Sequence, residues 1–125
     1  MSVRERAHKT IADLWDEAAE VYASRLTYVE SRAALAARGR ASRRHRRQLA
    51  QAKIELEDRW ETVAIVELNE LVREVAALAA ERHRLRGADA VHLASAAVLG
   101  SGVTMVTRDG ALRRASLAAG LDVAP

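Results

Sequence analysis

Arg86-Gly87-Ala88-Asp89-Ala90-Val91-His92-Leu93-Ala94-Ser95-Ala96 is the stretch whose reading decides the fold. After the turn Leu85-Arg86-Gly87 it continues as an apolar, small-residue helix with one carboxylate, Asp89, in its opening turn. An acid in that position is favoured by the helix dipole and can cap free backbone N–H groups. Downstream, Val103-Thr104-Met105-Val106-Thr107 reads as a strand, and Asp109 or Gly110 opens a helix from Ala111 to Ala119. Upstream, Val21-Tyr22-Ala23 is a short strand, and Ser24 caps a following helix that carries Glu30. Three acids at or beyond strand-to-helix junctions suggest a shared metal site.

The remaining chain continues the alternation of strand and helix. Apolar spacing predicts a first helix from about Val3 to Ala18, with Val3, Ala7, Ile11, Leu14, Trp15 and Ala18 on one stripe. The Ser24 helix is expected to run from Arg25 to about Ala37, with Gly39 breaking it. Ala41 or Ser42 starts another helix, which continues to about Trp60. Thr62 to Val66 is β-branched and reads as a strand. Asn69 caps a long helix through Arg82, with Leu71, Val72, Val75, Leu78 and Ala79 facing inward. Gly100 to Gly102 ends the Asp89 helix, Gly120 ends the next, and Leu121-Asp122-Val123 is a terminal strand stub. Alternating strands and helices predict a parallel sheet covered by helices, with ligands bound beyond the carboxyl ends of the strands.

Composition narrows the chemistry. The chain has 125 residues, a length that suits one domain, and half of them are hydrophobic, with no Phe. The absence of Cys excludes disulfides, thiolate metal sites and a Cys nucleophile, and four scattered His do not make a zinc site. Apolar runs fall short of the roughly 18 residues of a membrane span, and Arg4, Glu5, Arg6 and Lys9 stand where a signal peptide would need an apolar core. The expected setting is the cytosol, with no membrane partner.

The formal net charge is +3, but its distribution is uneven. Arg38, Arg40, Arg43, Arg44, Arg46 and Arg47 fall within ten residues that hold no acid. One reading is a solvated helical hairpin tip. A second is a phosphate-binding edge for nucleic acid, since guanidinium forks match phosphate oxygens. An acidic protein partner suits the same patch.

Carboxylates gathered without His or Cys favour hard cations, above all Mg²⁺ or Mn²⁺. Such an ion activates water and neutralises charge at a phosphodiester. Beside an Arg-rich edge, this chemistry is coherent with a nuclease. Each acid also has a purely structural reading: Asp89 and Asp109 as helix caps, Glu30 as a surface acid or the partner of a nearby Arg. His92 reads as a packing or surface histidine, Trp15 and Trp60 as core, and Glu55, Glu57, Asp58 and Asp122 as solvated or capping charges.

The three acids, taken in order, resemble the PIN-domain family, specifically the VapC-like toxins of bacterial toxin–antitoxin pairs. The matching pieces are Ala23-Ser24-Arg25-Leu26-Thr27-Tyr28-Val29-Glu30 with Arg32-Ala33-Ala34-Leu35, then Leu85 to Ala96, then Val106-Thr107-Arg108-Asp109 with Leu112, and finally Ala119-Gly120-Leu121-Asp122-Val123. The resemblance covers about residues 10–125. It implies a three-layer α/β/α fold with a parallel sheet. It also implies a Mg²⁺- or Mn²⁺-dependent endoribonuclease, homodimeric, acting on RNA and silenced by a cognate antitoxin. By position, Glu30, Asp89 and Asp109 are the implied catalytic, metal-binding acids; His92 belongs to the motif but is not a usual ligand.

One departure stands out. The family begins with an apolar strand, central in the sheet, that ends in a metal-binding Asp. This chain opens with Met1-Ser2-Val3-Arg4-Glu5-Arg6, and Asp13 and Asp16 fall inside the amphipathic helix instead of at a strand end. The expectation is therefore a single PIN-like domain over residues 1–125, truncated at its N-terminus and lacking the central first strand. Two alternatives follow: a non-catalytic remnant that binds RNA or an antitoxin, and an α/β interaction domain whose acids are all caps. A sheet without its central strand would leave backbone groups unpaired or bring the flanking strands together.

Overall fold

The computed structural model describes residues 10–124. In chain order the elements are α1 (Ile11–Glu17), β1 (Tyr22–Ala23), α2 (Arg25–Ala41), α3 (Arg43–Trp60), β2 (Ala64–Ile65), α4 (Glu70–His83), α5 (Gly87–Ala97), β3 (Thr104–Val106), α6 (Gly110–Ala118) and β4 (Asp122–Ala124). The expected α/β class holds. Among the described residues the four strands form two separate two-stranded parallel ladders, β1 with β2 and β3 with β4. The chain divides into two compact units, one over Tyr22–Val66 and one from the segments that flank it.

In the Tyr22–Val66 unit, β1 and β2 pair Tyr22 with Ala64 and Ala23 with Ile65, and the Val66 N–H extends the ladder by donating to the Ala23 carbonyl at 2.9 Å. Ser24 caps α2 as expected, its hydroxyl accepting from the Leu26 N–H. Gly39 does not break that helix. It is a buried residue inside α2, where a Cβ would stand 3.1 Å from Leu49 Cδ2. Its missing side chain lets α3 approach closely, which offsets the helix cost of glycine. Ser42 then ends α2 and caps α3 through the His45 N–H. Farther along, Tyr28 donates to the Glu57 carboxylate, and Arg32 Nη1 lies 2.8 Å from the Tyr28 hydroxyl and 3.4 Å from Glu57 Oε1. Trp60 packs on the Tyr28 ring at 5.3 Å between centroids. Glu57 is thus an interhelical partner as well as an exposed, solvated charge.

In the other unit, Thr10 and Asp13 make a reciprocal capping box that starts α1 at Ile11. A continuous helix from Val3 to Ala18 therefore does not form, because the Thr10 backbone is extended. Val3 and Ala7 lie outside the described residues. Asn69 caps α4 as expected, accepting from the Val72 N–H at 3.0 Å. The core joins Ala79 of α4, Leu93 of α5, and Leu112 and Ala115 of α6, with Leu85 and Leu121 packed against them. Val72, Ala76 and Ala79 form the buried face of α4, whereas Leu71 and Leu78 are 59% and 65% exposed. The buried stripe follows 72, 76 and 79, which turns 71 and 78 onto the neighbouring face. The small residues Ala90 and Ala94 are buried on α5, which packs along α4.

Gly100, Gly102 and Gly120 all adopt positive φ, and they close α5 and α6 where the sequence places the stops. β3 and β4 pair Thr104 with Asp122, Met105 with Val123 and Val106 with Ala124.

Candidate functional site

Asp89 and Asp109 line one cavity of about 270 Å³, together with Arg84, Leu85, Arg86 and Ala111. Local structure explains why both acids face it. Asp89 stands in the first turn of α5, two residues after its first position, Gly87. It is half-buried, and among the described residues its carboxylate has no hydrogen bond or ion pair. The cap position of α5 belongs to Arg86, which makes no side-chain cap bond. The capping reading of Asp89 is therefore not what the geometry shows.

Asp109 does cap a helix. Its Oδ1 accepts from the Leu112 N–H at 2.8 Å, and its own N–H donates to Thr107 Oγ1 at 3.1 Å. These two bonds fix the carboxylate just past β3. Oδ1 is engaged by the helix, and Oδ2 has no hydrogen bond among the described residues. Capping and ligation are compatible here, because a carboxylate has two oxygens and about four lone-pair positions.

Glu30 is exposed on α2. Tyr28 and Arg32, which reach Glu57 on α3, lie on the face of α2 opposite to it, since two residues turn a helix by about 200°. Among the described residues, no group of three or more His, Cys, Asp or Glu stands close enough to hold an ion by itself. Asp13 is accounted for by its capping box. His92 is half-buried on α5 and does not line the cavity.

The donor set of the cavity suits a hard divalent cation. It offers oxygen ligands only, and Mg²⁺ is commonly held by one or two carboxylates with water and substrate oxygens completing the shell. Two residues of this site are not among the sequence candidates: Arg84 and Arg86. Arg84 is the one non-glycine residue with positive φ among the described residues (φ 53°), at the C-terminus of α4, and Arg86 occupies the α5 N-cap.

The six arginines Arg38, Arg40, Arg43, Arg44, Arg46 and Arg47 cluster at the α2–α3 hairpin tip, all of them exposed. None forms an ion pair among the described residues. Arg38 also lines a cavity of about 110 Å³ with Leu35, His45, Gln48, Leu49 and Ala52.

With this fold and these acids in place, comparison with known proteins gives the class. The chain belongs to the PIN-domain family: the family model described as PIN domain matches residues 3–117. Within that family it is VapC-like. It is 44% identical over 113 residues to Ribonuclease VapC45 of Mycobacterium tuberculosis (strain CDC 1551 / Oshkosh), covering 90% of this chain and 78% of the relative. The same identity and coverage relate it to Ribonuclease VapC49 of Mycobacterium tuberculosis (strain ATCC 25618 / H37Rv). No solved structure matches it. The three-layer α/β/α class read from the motifs is that of this family, and the parallel strand pairs with their helices fit it.

Proposed function

We propose that this chain is an endoribonuclease of the VapC-like toxin class, hydrolysing RNA phosphodiester bonds at an acidic Mg²⁺ or Mn²⁺ site. The observation that carries this reading is the cavity shared by Asp89 and Asp109, where among the described residues one half-buried carboxylate has no partner and the other keeps one oxygen outside its cap. Asp89 and Asp109 would hold the ion, and the order of the motifs makes Glu30 a further proposed catalytic acid. When bound, such an ion supplies Lewis acidity and a water of lowered pKa. The chain's own part is positional. The Leu112 and Thr107 bonds orient Asp109, and the α5 backbone holds Asp89 at the cavity wall.

The hairpin arginines are the proposed general RNA-binding surface. Six exposed guanidinium groups, without acid partners among the described residues, form a phosphate-seeking edge that recognises backbone rather than sequence. A cognate antitoxin is the proposed regulatory partner, and a homodimer the proposed assembly. Leu71 and Leu78, exposed one above the other on α4, give such an assembly an apolar surface. Residues 1–125 are read as one PIN-like domain acting in the cytoplasm. Among the described residues no helix is long and apolar enough to cross a membrane.

The test is RNA cleavage by the purified chain in EDTA and after addition of Mg²⁺ or Mn²⁺. Cleavage only with an added ion is expected. Cleavage that persists in EDTA contradicts the mechanism. RNA binding without cleavage under either ion selects the non-catalytic binding module instead.

A further inference from the structure

Two local rules of helix construction are broken next to the acid-bearing cavity. Arg84 holds a left-handed backbone (φ 53°, ψ 41°), which side-chain-bearing residues adopt at a cost and which favours glycine at a helix C-terminus. Arg86 sits at the N-cap of α5, a position that favours Ser, Thr, Asp or Asn, and brings a cation to the positive end of the helix dipole. Between them Leu85 is packed against the core of Ala79, Leu93, Leu112 and Ala115. That anchor fixes the backbone on both sides, and Arg84 and Arg86 line the same cavity as Asp89 and Asp109. Local rules broken in a rigid frame beside a cavity are characteristic of sites where function outweighs local stability.

Neither arginine serves to neutralise the acids. Among the described residues, Arg84 and Arg86 form no ion pair with Asp89, Asp109 or any other carboxylate. Two guanidinium groups and two carboxylates leave the cavity lining with no formal net charge. Adding a divalent cation makes it strongly cationic, which calls for an anionic ligand. A phosphodiester meets that need, and guanidinium forks match its non-bridging oxygens.

We infer that Arg84 and Arg86 grip the scissile phosphate of RNA at the Asp89/Asp109 cavity, as substrate-contacting residues distinct from the hairpin arginines. This rests on the endoribonuclease reading above. It adds the residues that hold the reacting phosphate.

The experiment replaces each arginine by the residue that its backbone prefers, Arg84→Gly with Arg86→Ser, in the full chain. Binding of a fluorescently labelled single-stranded RNA is followed by anisotropy in EDTA over a range of salt. The pair is expected to raise Tm by a few degrees and to weaken RNA binding at least roughly 10-fold. The log–log salt slope is expected to fall by about 0.7, the contribution of the one phosphate that the two arginines neutralise on a single strand. Arg84→Lys with Arg86→Lys retains the charge. It is expected to keep the slope while cleavage stays impaired, because an ammonium lacks the planar fork.

Unchanged affinity and slope in the Gly/Ser pair, or no RNA binding by the parent chain, overturns the inference. So does loss of binding to an acidic peptide with RNA binding intact, which would assign the arginines to a protein partner. Asp89→Asn separates the two claims. If it still cleaves RNA, the metal-site reading fails while the slope measurement continues to judge the arginines.

Discussion

Asp109 and Leu112 are joined by a 2.8 Å bond from the Leu112 N–H to one carboxylate oxygen, so the second acid of the cavity is also the cap of its own helix. Stability and chemistry at this residue are therefore separable by substitution. Asp109→Ala is expected to cost about 1 kcal/mol in urea unfolding, within the range for lost N-caps. Asp109→Asn is expected to keep the cap, because an amide oxygen accepts the same bond, while losing metal-dependent cleavage. Equal destabilisation by both would show that the cap is not what the carboxylate contributes to the fold.

Ser116 offers a test of the core. It is fully buried on α6, and among the described residues its hydroxyl has no hydrogen-bond partner. An unsatisfied buried hydroxyl is costly, roughly 1–3 kcal/mol. Ser116→Ala is expected to raise stability by about 1 kcal/mol, read as a shifted urea midpoint at constant m-value. A lower midpoint would mean that the hydroxyl is satisfied after all.

Gly39 tests the hairpin. A Cβ there meets Leu49 Cδ2 at 3.1 Å, a contact that a small rotation of the leucine can relieve. Gly39→Ala is expected to be near neutral, since the helix gain of about 1 kcal/mol offsets that adjustment. Gly39→Val adds two methyl groups at the crossing and is expected to destabilise by roughly 1–3 kcal/mol in the same unfolding assay. A stabilised valine variant would remove the close approach from the account.

The hairpin arginines are expected to act uniformly. Replacing Arg43, Arg44, Arg46 and Arg47 by Gln should weaken binding of RNAs of different sequence alike. It should also flatten the salt dependence, by roughly 0.7 in slope for each phosphate left without its guanidinium. Anisotropy titrations at several salt concentrations measure both. Weakening confined to one RNA sequence would assign these residues to base recognition.

The physics of each feature determines how much of it is legible in the sequence. Ser24, Asn69 and Asp109 read correctly as caps because a short polar side chain before a helix has one dominant use. The helix breaks at Gly100, Gly102 and Gly120 read correctly because each needs positive φ. Gly39 departs from its expected role because glycine serves close packing as well as termination, and only the position of Leu49 decides between them. Leu71 and Leu78 lie off the buried face because α4 buries alanines in their stead, and helical spacing alone does not tell adjacent faces apart.

At the site, the order of Glu30, Asp89 and Asp109 points to the family, and two of the three line one cavity. Arg84 and Arg86 do not stand out by residue type among eighteen arginines. Their signal is positional: an arginine just past the end of a long helix, and another where the next helix needs a capping oxygen.

The central claim is that Asp89 serves a metal rather than the fold, and its lack of any protein partner among the described residues makes one measurement decisive. Asp89→Asn is nearly isosteric, so its unfolding midpoint should stay close to that of the parent chain. Single-turnover RNA cleavage in Mg²⁺ or Mn²⁺ should fall by more than the roughly 10–100-fold that loss of an outer-shell partner costs. A folded Asp89→Asn chain that cleaves at the parental rate would contradict the account.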